Sequence, residues 1–138
     1  MIKIYVDAAT HTEKKLSGGG IVFIENGKQT QHSFPLYATN NHEAEFEVLL
    51  LSLKILLEQE KTNESIFLFS DSKTVVASLD KGFTKNPRFI PYLTEFLELE
   101  KNFSLLIVQW IPENQNKGAD NLARQGLQKS LKINKGHL

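Results

Sequence analysis

The sequence predicts an α/β sandwich built on a mixed sheet, and three features point to it. Three short strand-like runs with turn signals between them occupy the first 36 positions. Apolar residues then switch to helical spacing between positions 43 and 58. Beyond position 63, strand and helix patterns alternate. Tight turns join antiparallel neighbours, whereas helical crossovers join parallel ones, so this order requires both pairings in one sheet.

Ile2, Ile4 and Val6 alternate with Lys3, Tyr5 and Asp7, which describes a half-buried strand delivering an aspartate at its end. Residues 10–17 are polar and basic and are expected to form a loop. Gly18-Gly19-Gly20 leads into a buried strand, Ile21-Val22-Phe23-Ile24, and Asn26-Gly27 marks a hairpin whose return strand covers residues 29–36. A helix over 43–58 follows from Phe46, Leu49, Leu50, Leu53 and Leu57, with Ala44, Val48, Leu51 and Ile55 widening its apolar face. Asn40 and Glu43 stand at capping-box spacing before it. Residues 65–69 form a strand ending at Ser70-Asp71, and 72–79 a short helix with Val75, Val76 and Leu79 inward. A loop over 81–87 precedes a helix carrying Phe89, Leu93, Phe96 and Leu97. A strand over 105–111 and a final helix from Lys117 to about Leu131 complete the pattern, with a solvated lysine-rich tail beyond.

A chain of 138 residues with 41% hydrophobic content fills one core, so residues 1–138 are expected to form one domain. The absence of cysteine excludes a disulfide framework and a thiolate metal site and fits a reducing cytoplasm. The N-terminal run is too short and too charged for a signal peptide, and the most apolar segment, 48–57, contains Ser52 and Lys54 and falls short of a membrane span. A net charge of zero argues against a general nucleic-acid binder. The charges are nevertheless clustered. Lys117, Arg124, Lys129, Lys132 and Lys135 face only Asp120 near the C-terminus, Lys81, Lys85 and Arg88 form a second basic group, and Glu43, Glu45, Glu47, Glu58 and Glu60 crowd one segment. Basic ends around an acidic centre are compatible with phosphates gripped on either side of a metal site.

Four acids stand at element ends: Asp7 and Asp71 at strand ends, Glu45 and Asp120 in the first turns of helices. In α/β sheets such positions converge on a crevice. Oxygen ligands suit hard cations, and clustered carboxylates without a cation repel one another. Each acid also has an ordinary reading: Asp71 as a helix cap, Asp120 as a partner of the helix dipole, Glu45 as a solvated first-turn residue. Asp7, in an otherwise apolar strand, has no such role. Spacing alone does not bring the four together.

Ile4-Tyr5-Val6-Asp7, Asn41-His42-Glu43-Ala44-Glu45-Phe46, Phe69-Ser70-Asp71-Ser72, and Trp110-Ile111-Pro112-Glu113-Asn114 leading to Ala119-Asp120-Asn121-Leu122-Ala123 do more. Their order resembles the type 1 ribonuclease H family, most of all its short bacterial branch, called reverse-transcriptase-like, across roughly Ile2 to Leu127. The resemblance implies a five-stranded mixed sheet flanked by helices and two Mg²⁺ (or Mn²⁺) ions. It implies cleavage of the RNA strand of RNA–DNA hybrids to give 5′-phosphates. By the same resemblance Asp7 bridges both ions, Asp120 holds the ion that activates water, and Glu45 with Asp71 holds the ion near the leaving 3′ oxygen. Ala8, Asn41, His42 and Ser72 fall where the family contacts the hybrid, and Lys81, Lys85 and Arg88 are the only echo of the basic protrusion of larger members. No obligate protein partner and no membrane contact is implied.

The chain departs from the family pattern at four places. Ala8 replaces the usual glycine, and His-Thr-Glu-Lys-Lys-Leu-Ser at 11–17 replaces a Gly-Asn-Pro-Gly-like loop that helps grip RNA. Asn41-His42 replaces paired asparagines, and Glu113 stands where many members have a histidine or arginine that assists water or product release. Two alternatives stay open: a ribonuclease H-like module that binds without cutting, and a nuclease of the same superfold with another substrate. His11, His32 and His137 show no partner pattern and are expected at the surface, and Trp110 is expected in the core or on the sheet rather than as a base-stacking platform.

Overall fold

Alternation in the first run places Ile2, Ile4 and Val6 on one face of a strand, and all three are buried in the computed structural model, which describes residues 1–135. The strands are β1 (Ile2–His11), β2 (Leu16–Glu25), β3 (Lys28–Leu36), β4 (Ser65–Ser70) and β5 (Leu105–Trp110). The helices are α1 (Asn41–Glu58), α2 (Lys73–Lys81), α3 (Ile90–Glu100) and α4 (Lys117–Lys135), with a single 3₁₀ turn at Glu113–Gln115. They build a five-stranded mixed sheet in the order β3-β2-β1-β4-β5. β1 pairs antiparallel with β2 and parallel with β4, and β5 is parallel to β4. The fold class read from the sequence is therefore the one observed.

α1 supplies the core of one face, where Val48, Leu49, Leu53 and Leu56 pack with Ile4, Ile21, Ile66 and Leu68. Its start is fixed by Asn40, whose side chain accepts from the Glu43 N–H at 3.0 Å. α4 lies on the opposite face, and the glycines of β2 explain how closely. A Cβ at Gly20 would stand 2.3 Å from the Ala119 carbonyl oxygen and 2.5 Å from the Ala123 nitrogen, so only glycine lets the helix backbone come this near. At the far end of β2, Asn26 (φ 52°) and Gly27 (φ 75°) take the left-handed conformations that a two-residue hairpin turn requires.

Several boundaries differ from the sequence reading. β1 does not end at Asp7 but runs to His11, and Thr10 pairs with Ser17, their hydroxyls 2.9 Å apart. The expected loop over 10–17 contracts to a turn at 12–15, because the glycine run belongs to β2 and prolongs the ladder. α1 begins at Asn41, which moves Glu45 from the first turn to the start of the second. In α3, Leu97 is 37% exposed and Leu99 is buried in its place, while Phe89 sits at the N-cap. β5 stops at Trp110, and α4 continues through Lys135 rather than fraying after Leu131. His11 and His32 are half-buried: His11 Nδ1 accepts the Lys14 N–H, and His32 packs edge-on against Phe23. His137 lies outside the described residues. Among the described residues, no helix is long and apolar enough to cross a membrane.

Candidate functional site

The β1–β4 parallel ladder ends at the pair Val6–Ser70, so the next residue on each strand, Asp7 and Asp71, emerges at the same end of the sheet. The N-terminal part of α1 brings Glu45 there, and its Oε1 accepts the Ala8 backbone N–H at 3.1 Å. Oxygen atoms of Asp7, Glu45 and Asp71 all lie within 4.8 Å of one another. The first turn of α4 adds Asp120, and the 3₁₀ turn adds Glu113. These five acids line one cleft of about 250 Å³ together with Ala8, Asn41 and Arg124. Asp71 does not cap α2. The capping oxygen is that of Ser72, which accepts the Val75 N–H at 3.3 Å.

Crowding and burial act on the acids in the same direction. Asp7, only 6% exposed, has its carboxyl pushed up to about 8, first by burial and then by the Asp71 charge. Burial and the Asp7 charge likewise hold Glu45 well above the ordinary carboxylate range. Burial raises Asp71 as well, with Glu113 and Asp120 adding repulsion, against a hydrogen bond from Asn116 that favours its charged form. None of Asp7, Glu45 and Asp71 forms a salt bridge with a lysine or arginine among the described residues. Glu45 Oε2 is buried and has no hydrogen-bond partner. An all-carboxylate donor set with an unpartnered buried oxygen, and with no lysine or arginine paired to it among the described residues, fits a hard divalent cation. Asp7, Glu45 and Asp71 are the residues that could hold it, with Asp120 at the rim, where Arg124 Nη2 lies 3.2 Å from its Oδ2.

The other residues singled out from the sequence divide. Ala8 and Asn41 line the acidic cleft. His42 and Arg88 line a neighbouring groove with Asn86 and Phe89, where Arg88 bridges to Glu43 at 3.1 Å. Glu43 also accepts the Tyr92 hydroxyl at 3.1 Å, and burial followed by that charge pushes the phenol up to about 12. Lys81 and Lys85 are exposed and line neither space. Three contributors were missed. Arg124, four residues after Asp120 on α4, carried an i,i+4 signal that could have found it. Trp110, 38% exposed on the edge strand, donates its indole N–H to the Asp71 carbonyl at 3.1 Å, with the Lys73 ammonium 4.8 Å from its ring centroid. Asn116, 1% exposed, donates to the Val6 carbonyl at 2.8 Å and to Asp71 Oδ2 at 3.2 Å, and no local pattern announced it.

Residues 5–126 match the model of the family described as reverse transcriptase-like. A relative from Enterococcus faecalis named "Putative hydrolase EbsB" is 50% identical over 129 residues, spanning 94% of this chain and 96% of its own. Among solved structures, ribonuclease H1 of the archaeon Halobacterium salinarum superposes with a TM-score of 0.82 at 22% identity, covering 93% of this chain and 98% of the other. LC11 ribonuclease H1 in complex with an RNA/DNA hybrid gives 0.85 at 22% identity over 95% and 99%. The N-terminal ribonuclease H domain of Rv2228c from Mycobacterium tuberculosis gives 0.84 at 19% identity over 96% of both.

Proposed function

The chain belongs to the reverse transcriptase-like family and has the ribonuclease H fold, and on that premise we propose that it is a divalent-metal-dependent endonuclease cutting the RNA strand of RNA–DNA hybrids. The observation that carries the reading is the convergence of Asp7, Glu45 and Asp71 within 4.8 Å, beside Asp120, without a basic residue to neutralise the inner three. The hydrolase name of the Enterococcus relative and the hybrid bound by LC11 ribonuclease H1 support it.

Asp7, Glu45, Asp71 and Asp120 would hold two Mg²⁺ or Mn²⁺ ions. When bound, such ions supply Lewis-acid neutralisation of the phosphodiester on both its attacked and leaving sides. The chain itself supplies orientation. The Ala8 N–H fixes Glu45, the Asn116 amide and Trp110 indole fix Asp71, and Arg124 braces Asp120 while keeping an exposed guanidinium for a phosphate. Glu113, exposed at the rim of the cleft, would stand where it can assist water entry or product release. Asn41, at the cleft wall, and His42, in the adjoining groove, would meet the nucleic acid on the side of α1.

The test is cleavage of end-labelled RNA–DNA hybrid, single-stranded RNA and duplex DNA by the purified protein with Mg²⁺ or Mn²⁺, alongside Asp71→Asn. Cutting of the hybrid's RNA strand by the unaltered protein alone is the expected result. A folded, metal-binding protein that leaves the hybrid whole refutes the activity. Cutting of another substrate instead moves the assignment to a different nuclease of this fold.

A further inference from the structure

Three of the acidic positions hang on elements that one buried side chain ties together. Asn116 immediately precedes α4, and its carbonyl accepts the Asp120 N–H at 3.0 Å, so it opens the helix that carries Asp120. Its Nδ2 reaches the Val6 carbonyl at 2.8 Å, one residue before Asp7, at the point where the β1–β4 ladder runs out. The same nitrogen reaches Asp71 Oδ2 at 3.2 Å. Both partners are acceptors, so the amide must turn its NH₂ toward them. That orientation leaves Oδ1 buried without a partner, in a residue only 1% exposed. A buried amide with a purely packing role has no reason to leave its oxygen unsatisfied. The arrangement favours the two donated bonds over the lost one.

We propose that Asn116 is a positioning residue of the acidic site, setting the separation of Asp7 and Asp71 and tying both to the helix that carries Asp120. The proposal rests on the reading of the cleft as a cation site. Asparagine suits this position by its chemistry. It offers two N–H groups at short reach and no charge, whereas aspartate would add a like charge against Asp71 and serine could not span both acceptors. Residues that orient metal ligands in this way alter metal affinity by about tenfold to a hundredfold when removed.

The experiment is calorimetric titration of Mn²⁺ into the unaltered protein, Asn116→Ala, Asn116→Ser and the core variant Leu56→Ala, each well below its melting temperature. Leu56 is buried near the far end of α1, beside Ile2 and Phe23, so its truncation loosens the fold at a distance from the acids. The expected result is a Kd raised about tenfold or more in both Asn116 variants and unchanged in Leu56→Ala. Cleavage by the Asn116 variants should recover as Mn²⁺ is raised past the new Kd. Folded Asn116 variants that bind Mn²⁺ as tightly as the unaltered protein overturn the proposal and leave the cation site standing. An unaltered protein that binds no Mn²⁺ overturns both. Should neither variant fold, Mg²⁺ titration of the unaltered protein followed by NMR decides: the Asn116 side-chain NH₂ resonances shift together with the Asp71 amide, and unmoved resonances overturn the proposal.

Discussion

Replacing Asp7 by asparagine removes one carboxylate from the acidic cleft while keeping its size and shape, and the structure fixes what this does to stability in the absence of metal. The carboxyl is pushed from 3.8 up to about 8 by burial and by Asp71. The folded protein therefore keeps a proton at Asp7 over a range in which the unfolded chain has released it. Its contribution to stability is fully present below pH ~4 and is lost as pH rises toward ~8. At pH 7 the difference spans about 3 pH units, which at about 1.4 kcal/mol per unit amounts to about 4 kcal/mol. Asparagine carries no proton to lose, so the variant escapes this cost. Unfolding followed by circular dichroism in EDTA should find the two proteins within about 1 kcal/mol of each other at pH 4, with the variant pulling ahead by up to about 4 kcal/mol at pH 7. For a domain of this size that is a rise in melting temperature of the order of 10 °C. Excess Mn²⁺ should reverse the order, because only the intact acid set gains by binding it. Melting temperatures that stay parallel from pH 4 to 8 in EDTA would refute the account of the cleft as a strained, uncompensated cluster.

Gly20→Ala should destabilise the protein by about 1–3 kcal/mol in urea and reduce cleavage further than that loss implies, because α4 must move off the sheet and take Asp120 with it. An unchanged urea midpoint would contradict it. Arg124→Gln breaks an exposed pair and should leave the melting temperature unaltered, yet lower the salt slope of hybrid binding by about one charge. An unaltered slope would show that Arg124 meets no phosphate. Mn²⁺ binding must expel the proton retained at Asp7, so the apparent Kd should tighten as pH rises from 6 to about 8 and then level off. Calorimetry in buffers of differing ionisation enthalpy measures that release directly, and no proton release at pH 7 would sink the idea.

The sheet and its helices were legible because most local signals agree with the global arrangement. Ile2, Ile4 and Val6 alternate, Asn26-Gly27 turns, Asn40 caps, and the apolar spacing over α1 does not fit a strand. The segment 10–17 was misread because sequence polarity does not separate a loop from a hairpin whose ladder is lengthened by glycines. What pairs Ala8 with Gly19 is the rest of β2, not the residues between them. For the site, the four acids could be named from their motifs, but their convergence follows from β4 lying beside β1, which no local pattern fixes. Asn116 was invisible for the same reason. Its carbonyl opens α4 as that of any residue before a helix does, while its amide reaches a carbonyl 110 positions away.

What holds the acids also bears on what the cleft is for. A carboxylate cluster kept only for the fold would be expected to draw lysine or arginine partners, since a buried charge without one costs much of the stability of a small domain. Here the inner acids are held instead by uncharged donors: the Ala8 N–H on Glu45 and the Asn116 amide on Asp71. Neutral donors fix geometry without cancelling the negative field. The guanidinium of Arg124 sits only on the outermost acid, Asp120, where the side chain is 37% exposed and the pair is weak enough to exchange. The result is a site that is oriented without basic partners for its inner acids, holding protons when empty of cations and exchanging them for a cation. That combination separates a cation-dependent centre from a structural ion-pair network on the same fold. It also makes the field at the cleft, rather than the overall charge of zero, the quantity that governs what the protein binds there.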